Sequence, residues 1–256
     1  MARGLPGADS SVPVTFQING RSLIDLATDL FGEIPVVWGR YFTSSSTGGT
    51  VEYRHRRENE PLRNRGTRVM PIARQTKHVR RDESLGVADA KNNVEDVITT
   101  FGADYLKDQG GKFLLFLDVE GDPSMSEDYY RGWAKTLVYH SSTFSNGAVT
   151  IVPGIYATQG DDTTWRALKA AAATGVPCEG VWVARWRIRG CGALLDFDAN
   201  MGLVRPNVAL PCEILLWQYA DDCHGGNGFD CNEINPNIDV AAFLKKCVLP
   251  PETPIA

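Results

Sequence analysis

Apolar residues recur along this chain with two different spacings, and the two alternate. Seven stretches are rich in Val, Ile, Leu and aromatic residues: Val12–Ile18, Val36–Phe42, Arg68–Gln75, Lys112–Glu120, Val149–Ala157, Gly180–Trp186 and Glu213–Tyr219. They predict strands, because branched and aromatic side chains fit a pleated, buried surface. Between them, apolar positions fall at i, i+3, i+4 and i+7. Leu23, Leu26, Ala27 and Leu30 form one such set; Val94, Val97, Ile98 and Phe101 a second; Tyr130, Trp133, Ala134 and Leu137 a third. Each set makes a single stripe on a helix, which is what packing on a sheet requires. Two further helices are predicted, from Thr163 to about Thr174 and across Val240, Phe243, Leu244 and Cys247.

A repeated β-α order argues for a parallel sheet. With a short eighth strand near Asn237–Val240, the pattern predicts an α/β protein built as a single irregular (β/α) TIM-like barrel over residues 12–249. Residues 1–11 are expected to be a flexible N-terminal segment and residues 250–256 a flexible tail. The length of 256 residues suits one such barrel. An open doubly wound sheet is the runner-up, but no Gly-x-Gly-x-x-Gly turn follows an early strand. Two long connections, Thr43–Gly66 and Arg187–Pro211, follow the second and sixth strands and would lie on the rim where loops build a site.

Composition narrows the classes. Hydrophobic residues make up 43% of the chain and charged residues 22%, too apolar for disorder. No run approaches the ~18 consecutive apolar residues of a membrane span. The net charge is −5, yet Glu52–Arg81 holds ten Lys or Arg against three Glu. Such a lobe would steer anionic polymers or contact phosphate. The acidic balance of the whole, and the lack of a recognition motif, argue against nucleic acid as the partner.

Six cysteines all fall in the last third of the chain, which suggests disulfides and an oxidising compartment. Cys223 and Cys231 bracket a Gly-rich loop and are the favoured pair; buried free thiols are the alternative. The N-terminus has no apolar signal-peptide region, so the export route stays open. No Cys-x-x-Cys occurs and the four histidines are scattered. Neither a metal nor another cofactor is expected.

The sharpest chemical signal is Phe113-Leu114-Leu115-Phe116-Leu117-Asp118-Val119-Glu120-Gly121. A strongly apolar strand ends in two acids spaced i, i+2. Strand side chains alternate, so Asp118 and Glu120 share a face, with Cα atoms roughly 6.5–7 Å apart. Burial and a neighbouring carboxylate both oppose ionisation, so one acid should keep its proton to higher pH than a free side chain. Glycoside hydrolysis requires such a pair. Mg²⁺ binding or a structural hydrogen-bond network would use the same tripeptide. Gly121 then turns the chain away from the mouth.

Further segments carry a resemblance in order along the chain. They are Val36-Val37-Trp38-Gly39-Arg40-Tyr41-Phe42, Val69-Met70-Pro71-Ile72-Ala73, Leu117-Asp118-Val119-Glu120, Gly154-Ile155-Tyr156, Trp182-Val183-Ala184-Arg185-Trp186, Trp217-Gln218-Tyr219 and Ile238-Asp239-Val240. Together, over roughly residues 14–245, the chain resembles the glycoside hydrolase family 25 lysozymes and the bacterial glycoside-hydrolase-like domains related to them. The resemblance implies a modified β/α barrel that cleaves peptidoglycan after N-acetylmuramic acid, outside the cell or at its envelope. By position it implies Glu120 as general acid, Asp118 as stabiliser of positive charge at the sugar or orienter of its acetamido group, and Asp239 as completing an acidic floor.

The family usually carries an Asp on the first strand, in Gly-Ile-Asp or Gly-Phe-Asp. Thr15-Phe16-Gln17 stands at the matching place, so Gln17 is expected to bind substrate where a carboxylate would otherwise lie. Two functions follow: a muramidase-type hydrolase of peptidoglycan or a related amino-sugar polymer, or a weakened or inactive barrel that binds cell-wall glycan. Aromatic rings cover the apolar faces of sugars. Tyr41, Tyr156, Trp182, Trp186, Trp217 and Tyr219, with Arg40 and Gln218, are accordingly the remaining candidate substrate contacts. Gln218 alternates with Trp217 and Tyr219, so not all three can face inward.

Overall fold

In the computed structural model, residues 3–42, 52–74, 77–120 and 123–252 are described. In chain order the strands are β1 (Pro6–Asp9), β2 (Gln17–Ile18), β3 (Arg21–Ser22), β4 (Val37–Phe42), β5 (Arg68–Arg74), β6 (Lys112–Val119), β7 (Thr150–Thr158), β8 (Gly180–Arg189), β9 (Ile214–Cys223) and β10 (Phe229–Ile234). The strands β2 and β3 pair only with each other; the other eight close a barrel in the order β1-β10-β9-β8-β7-β6-β5-β4. Every neighbouring pair is parallel except at β10, which runs antiparallel to both β9 and β1.

The helices are α1 (Leu23–Phe31), α2 (His55–Asn64), α3 (Glu83–Phe101), α4 (Ala103–Asp108), α5 (Glu127–Phe144), α6 (Asp162–Ala173), α7 (Phe197–Val204) and α8 (Val240–Lys245). The apolar stripes at Leu23, Val94 and Tyr130 fall on α1, α3 and α5. Side chains just before these helices supply the missing hydrogen-bond acceptors: Ser22, Asp82, Ser126 and Asp161 each take a backbone N–H of the first turn of α1, α3, α5 and α6. Helix α2 lies within the connection expected after the second strand, and α7 within the one after the sixth.

The strand predictions fail at the two ends. Val12–Ile18 is not a barrel strand: Val12 and Val14 are buried, but the Val14 N–H donates to Glu58. Its carbonyl accepts from Ile24. The barrel instead begins at Pro6–Asp9, inside the span expected to be flexible, where all four residues are buried. Pro-Gly-Ala-Asp has no strand propensity of its own; it is a strand because β10 and β4 pair with it on either side. The eighth strand likewise lies at Phe229–Ile234, and Asn237–Val240 is the approach to α8. Among the tail residues, Pro250 and Pro251 are buried, and 253–256 lie outside the described residues, as does Gly121.

Alternation along the strands sorts side chains into two cores. Trp38, Phe113, Leu115, Leu117, Trp217 and Tyr219 face outward, into the layer under the helices. Met70, Ile72, Leu114, Phe116, Tyr156, Trp182, Leu216 and Ile234 face inward and fill the barrel. Gly39 makes room there: a Cβ would come within 2.7 Å of Asp9 Cβ and 2.9 Å of the Trp182 ring.

One disulfide joins Cys191 to Cys223. The expected Cys223–Cys231 pair does not form, because Cys231 lies opposite Ala220 in the β9–β10 ladder while Cys223 lies opposite Phe229. Cys231 is a buried thiol facing the outer core.

Candidate active site

The inward positions change character toward the C-terminal ends of the parallel strands. Following Leu114 and Phe116 on β6, the next inward residue is Asp118, with Glu120 just beyond. On β9, Leu216 gives way to Gln218. Because β10 runs the other way, its first residues reach this end, and Asp230 and Asn232 precede Ile234. On β1 the residue that arrives is Asp9. These four acids, with the exposed Asp222 as a fifth, line a cavity of about 180 Å³ that Ser10, Tyr41, Arg74 and Phe229 also line.

The acids are held from below and from the side. Asn232 donates to Asp9 at 2.7 Å, and its own carbonyl accepts from Trp182 Nε1 at 2.8 Å. Gln218 Nε2 reaches Asp230 at 3.0 Å and Asp9 at 3.4 Å. The backbone N–H of Asp222 donates to Asp230 at 2.7 Å, and that of Glu120 to Asp118 at 2.9 Å. The Trp182 ring stacks on Tyr156 at 4.1 Å to form the floor. Arg74 supplies positive charge, 3.7 Å from Asp118 and 5.7 Å from the centre of the Tyr41 ring.

One arginine among four carboxylates leaves an excess of negative charge in a poorly solvated place. Burial pushes the Asp118 carboxyl up to about 6, against the pull of the Glu120 N–H and Arg74. Burial, then the Asp118 charge, lifts Glu120 well above the ordinary carboxylate range, and the nearby Tyr156 hydroxyl opposes this. Asp9 is raised well above the usual range by burial and by Asp230, and burial raises Asp230 itself to about 7. The cluster therefore holds protons to higher pH than free carboxyls do, and Glu120 is among the groups so raised. Glu120 Oε1 is buried at this cavity with the Tyr156 hydroxyl as its close neighbour beneath, and neither atom makes a well-formed hydrogen bond among the described residues. Buried polar atoms are nearly always satisfied, so these two mark where a ligand or water belongs.

Asp118, Glu120 and Tyr41 line the cavity. Gln218 joins two of its acids, while Tyr156 and Trp182 lie beneath it. Trp186 stands at the rim and donates to Gln218 Oε1 at 2.7 Å. Five candidates lie elsewhere. Gln17 is exposed on the β2–β3 pair. Arg40 is wholly buried in an ion pair with Glu58 at 2.8 Å. Trp217 and Tyr219 point to the outer core, where they donate to the carbonyls of Arg185 and Gly192. Asp239 is exposed and caps α8, whose following residue Lys246 meets β6 at Leu114, the opposite end from the cavity.

Asp9, Asp230, Arg74 and Asn232 were not anticipated. Asp9 had a signal: Gly7-Ala8-Asp9 is itself a Gly-x-Asp triplet, and it occupies the first barrel strand. A carboxylate, Asp9, thus stands on the first barrel strand, and Gln17 lies outside the barrel.

Solved structures share this architecture. An uncharacterized B. stearothermophilus protein aligns over 95% of this chain and 100% of its own, with a TM-score of 0.62 and 21% identity. The catalytic domain of an endolysin from a Listeria monocytogenes bacteriophage aligns over 95% and 98%, with a TM-score of 0.52 and 17% identity. A muramidase from Acremonium alcalophilum aligns over 94% and 99%, with a TM-score of 0.53 and 16% identity. What they share is the fold. No protein-family model matches the sequence, and no curated protein does. No helix among the described residues is long and apolar enough to cross a membrane.

Proposed function

We propose that this chain is a lysozyme-like glycoside hydrolase, of N-acetylmuramidase type, acting on peptidoglycan or a related amino-sugar polymer outside the cell or at its envelope. The observation that carries the proposal is Glu120, a carboxyl raised by burial and by Asp118, buried with Tyr156 beside it at a cavity that four more acids line. Bearing the same fold as proteins named a muramidase and an endolysin supports the choice of polymer.

Glu120 gives its proton to the glycosidic oxygen as the carbon–oxygen bond breaks and the bonding pair stays with that oxygen. Positive charge then develops on the sugar ring. Asp118, the least raised of these acids at about 6, supplies preorganised negative charge where it appears, with Asp9 and Asp230 lining the same cavity. Water adds to the ring carbon and returns a proton to Glu120. Tyr41 and the exposed part of Trp186 offer flat surfaces for neighbouring sugars. Asp9, an acid on the first barrel strand that lines the cavity, supports this reading over a binding-only barrel.

Mass spectrometry of purified peptidoglycan after digestion tests the proposal. Fragments with new reducing ends should appear with the native chain and vanish with Glu120→Gln, while both proteins unfold at the same temperature. Equal digestion by the variant would sink it.

A further inference from the structure

Strand β8 does not end where the barrel does. It runs on to Arg189, and its ladder with β9 slips there: Ala184 lies opposite Gln218, but Ile188 lies opposite Ala220. Three residues, Arg185, Trp186 and Arg187, therefore stand against the single Tyr219. All three are exposed, whereas the five residues before them are buried. Bulges of this kind re-aim side chains and gather beside active sites.

This one is pinned at several points. Trp217 Nε1 donates to the Arg185 carbonyl at 2.9 Å, and Trp186 Nε1 to Gln218 Oε1 at 2.7 Å. Arg189 lies 5.9 Å from the centre of the Trp186 ring and 3.7 Å from Asp221. The Cys191–Cys223 disulfide ties the end of the extension to the end of β9. A fixed bulge thus exposes Arg185 and Arg187 on either side of Trp186, and neither guanidinium has an acidic partner among the described residues. Gln218, which the bulge grips through Trp186, holds Asp9 and Asp230 with its other end.

Two unneutralised cations flanking Trp186, which reaches Asp9 and Asp230 through Gln218, fit a ligand that is itself anionic. Such a ligand is repelled by the acids it must approach and needs compensation beside them. Building on the hydrolase reading above, we propose that the Arg185–Arg187 bulge is a subsite for an oxyanion substituent on the glycan, a carboxylate or phosphate attached to the sugar chain next to the bond that is cut. Trp186 bears on the sugar and the two arginines on its acidic branch. Arginine suits this task because its planar fork meets either oxyanion with paired hydrogen bonds.

The test uses the full chain carrying Glu120→Gln, so that binding is read without cleavage. Three ligands are compared: cell-wall glycan bearing peptide stems and phosphate polymers, the same glycan after phosphate removal, and the same glycan after stem removal. Adding Arg185→Gln and Arg187→Gln together should weaken binding to the full glycan roughly 5- to 10-fold, the range for exposed charge-assisted contacts. The loss should disappear with whichever substituent supplies the anion, which identifies the source. Added salt should weaken the parent more than the arginine variant. Equal affinity of the two proteins for all three ligands, or no binding of the parent to the full glycan, overturns the subsite. A native chain that releases no sugar fragments, while the arginine-dependent binding persists, overturns the hydrolase and leaves the subsite standing.

Discussion

Two buried charge clusters lie almost side by side in this barrel, and they are built in opposite ways. In the first, Arg40 of β4 and Glu58 of α2 are wholly sequestered from solvent. Glu58 accepts from Arg40 twice, at 2.8 and 3.2 Å, and from the backbone N–H groups of Val14 at 3.0 Å and Arg54 at 2.7 Å. Arg40 also donates to the carbonyls of Ser10 and Glu52. Charge balances charge, and the pair braces β1, β4 and α2. In the second, one residue back along the chain from Ser10, Asp9 begins a set of four carboxylates with a single arginine beside them. Its acids are pushed out of their ordinary range, and polar atoms stay unpaired. A buried charge that is fully matched is a brace. One that is left undermatched is poised to react.

Breaking each cluster should therefore have different results. Glu120→Gln should lower glycan hydrolysis by roughly 10³-fold or more, the scale of losing an acid catalyst, with folding intact by circular dichroism. Arg40→Met leaves Glu58 buried and unmatched, which should cost about 3–5 kcal/mol in urea unfolding. Activity per folded molecule should be retained.

A smaller effect sharpens the contrast through pH. The carboxyls of Asp118, raised to about 6, and Asp230, raised to about 7, hold protons in the folded chain that the unfolded chain would release. Their contribution to stability is full below the ordinary carboxylate range near pH ~4 and is lost as pH rises through about 6 to 7. Asp230→Asn removes one such group. Its unfolding free energy, measured against the native chain, should gain from pH 4 to about pH 7, by at most about 4 kcal/mol at about 1.4 kcal/mol per tenfold in proton affinity. A difference that is flat with pH would deny the raised value. Gln17→Asp marks the bottom of the scale. On the exposed β2–β3 pair it should leave activity unchanged and shift stability by less than about 0.5 kcal/mol.

How much of this was legible in the sequence follows from which residues carry their own structural preference. Strand β6 announces itself, since five apolar residues leading to Asp-x-Glu fit little besides a buried strand that ends at a site. The central strands and the three long apolar stripes are readable for the same reason. Strands β1 and β10 are not. Pro6–Asp9 becomes a strand through its neighbours, and Val12–Ile18 displaces it in a reading by local pattern because Val12 and Val14 are buried without being in the sheet. In Phe229–Ile234 the inward positions are Asp, Asn and Ile, so the polarity that marks the site also hides the strand. The same misplacement set the expected closing acid at Asp239, which is an α8 cap, while Asp230 is the acid that β10 brings to the cavity. The correct residue types were in view; their partners across the barrel were not.

The reversed direction of β10 has a consequence for how this protein can be altered. A seven-stranded parallel set offers a loop to the mouth after each strand, but here the eighth strand enters from that side, so the tight Gly-rich hairpin before it faces the cavity. Lengthening that hairpin would reshape the roof over Asp9 and Asp230 while keeping both acids on their strands. An equal insertion after Ile234 would emerge at the far pole and leave the chemistry alone.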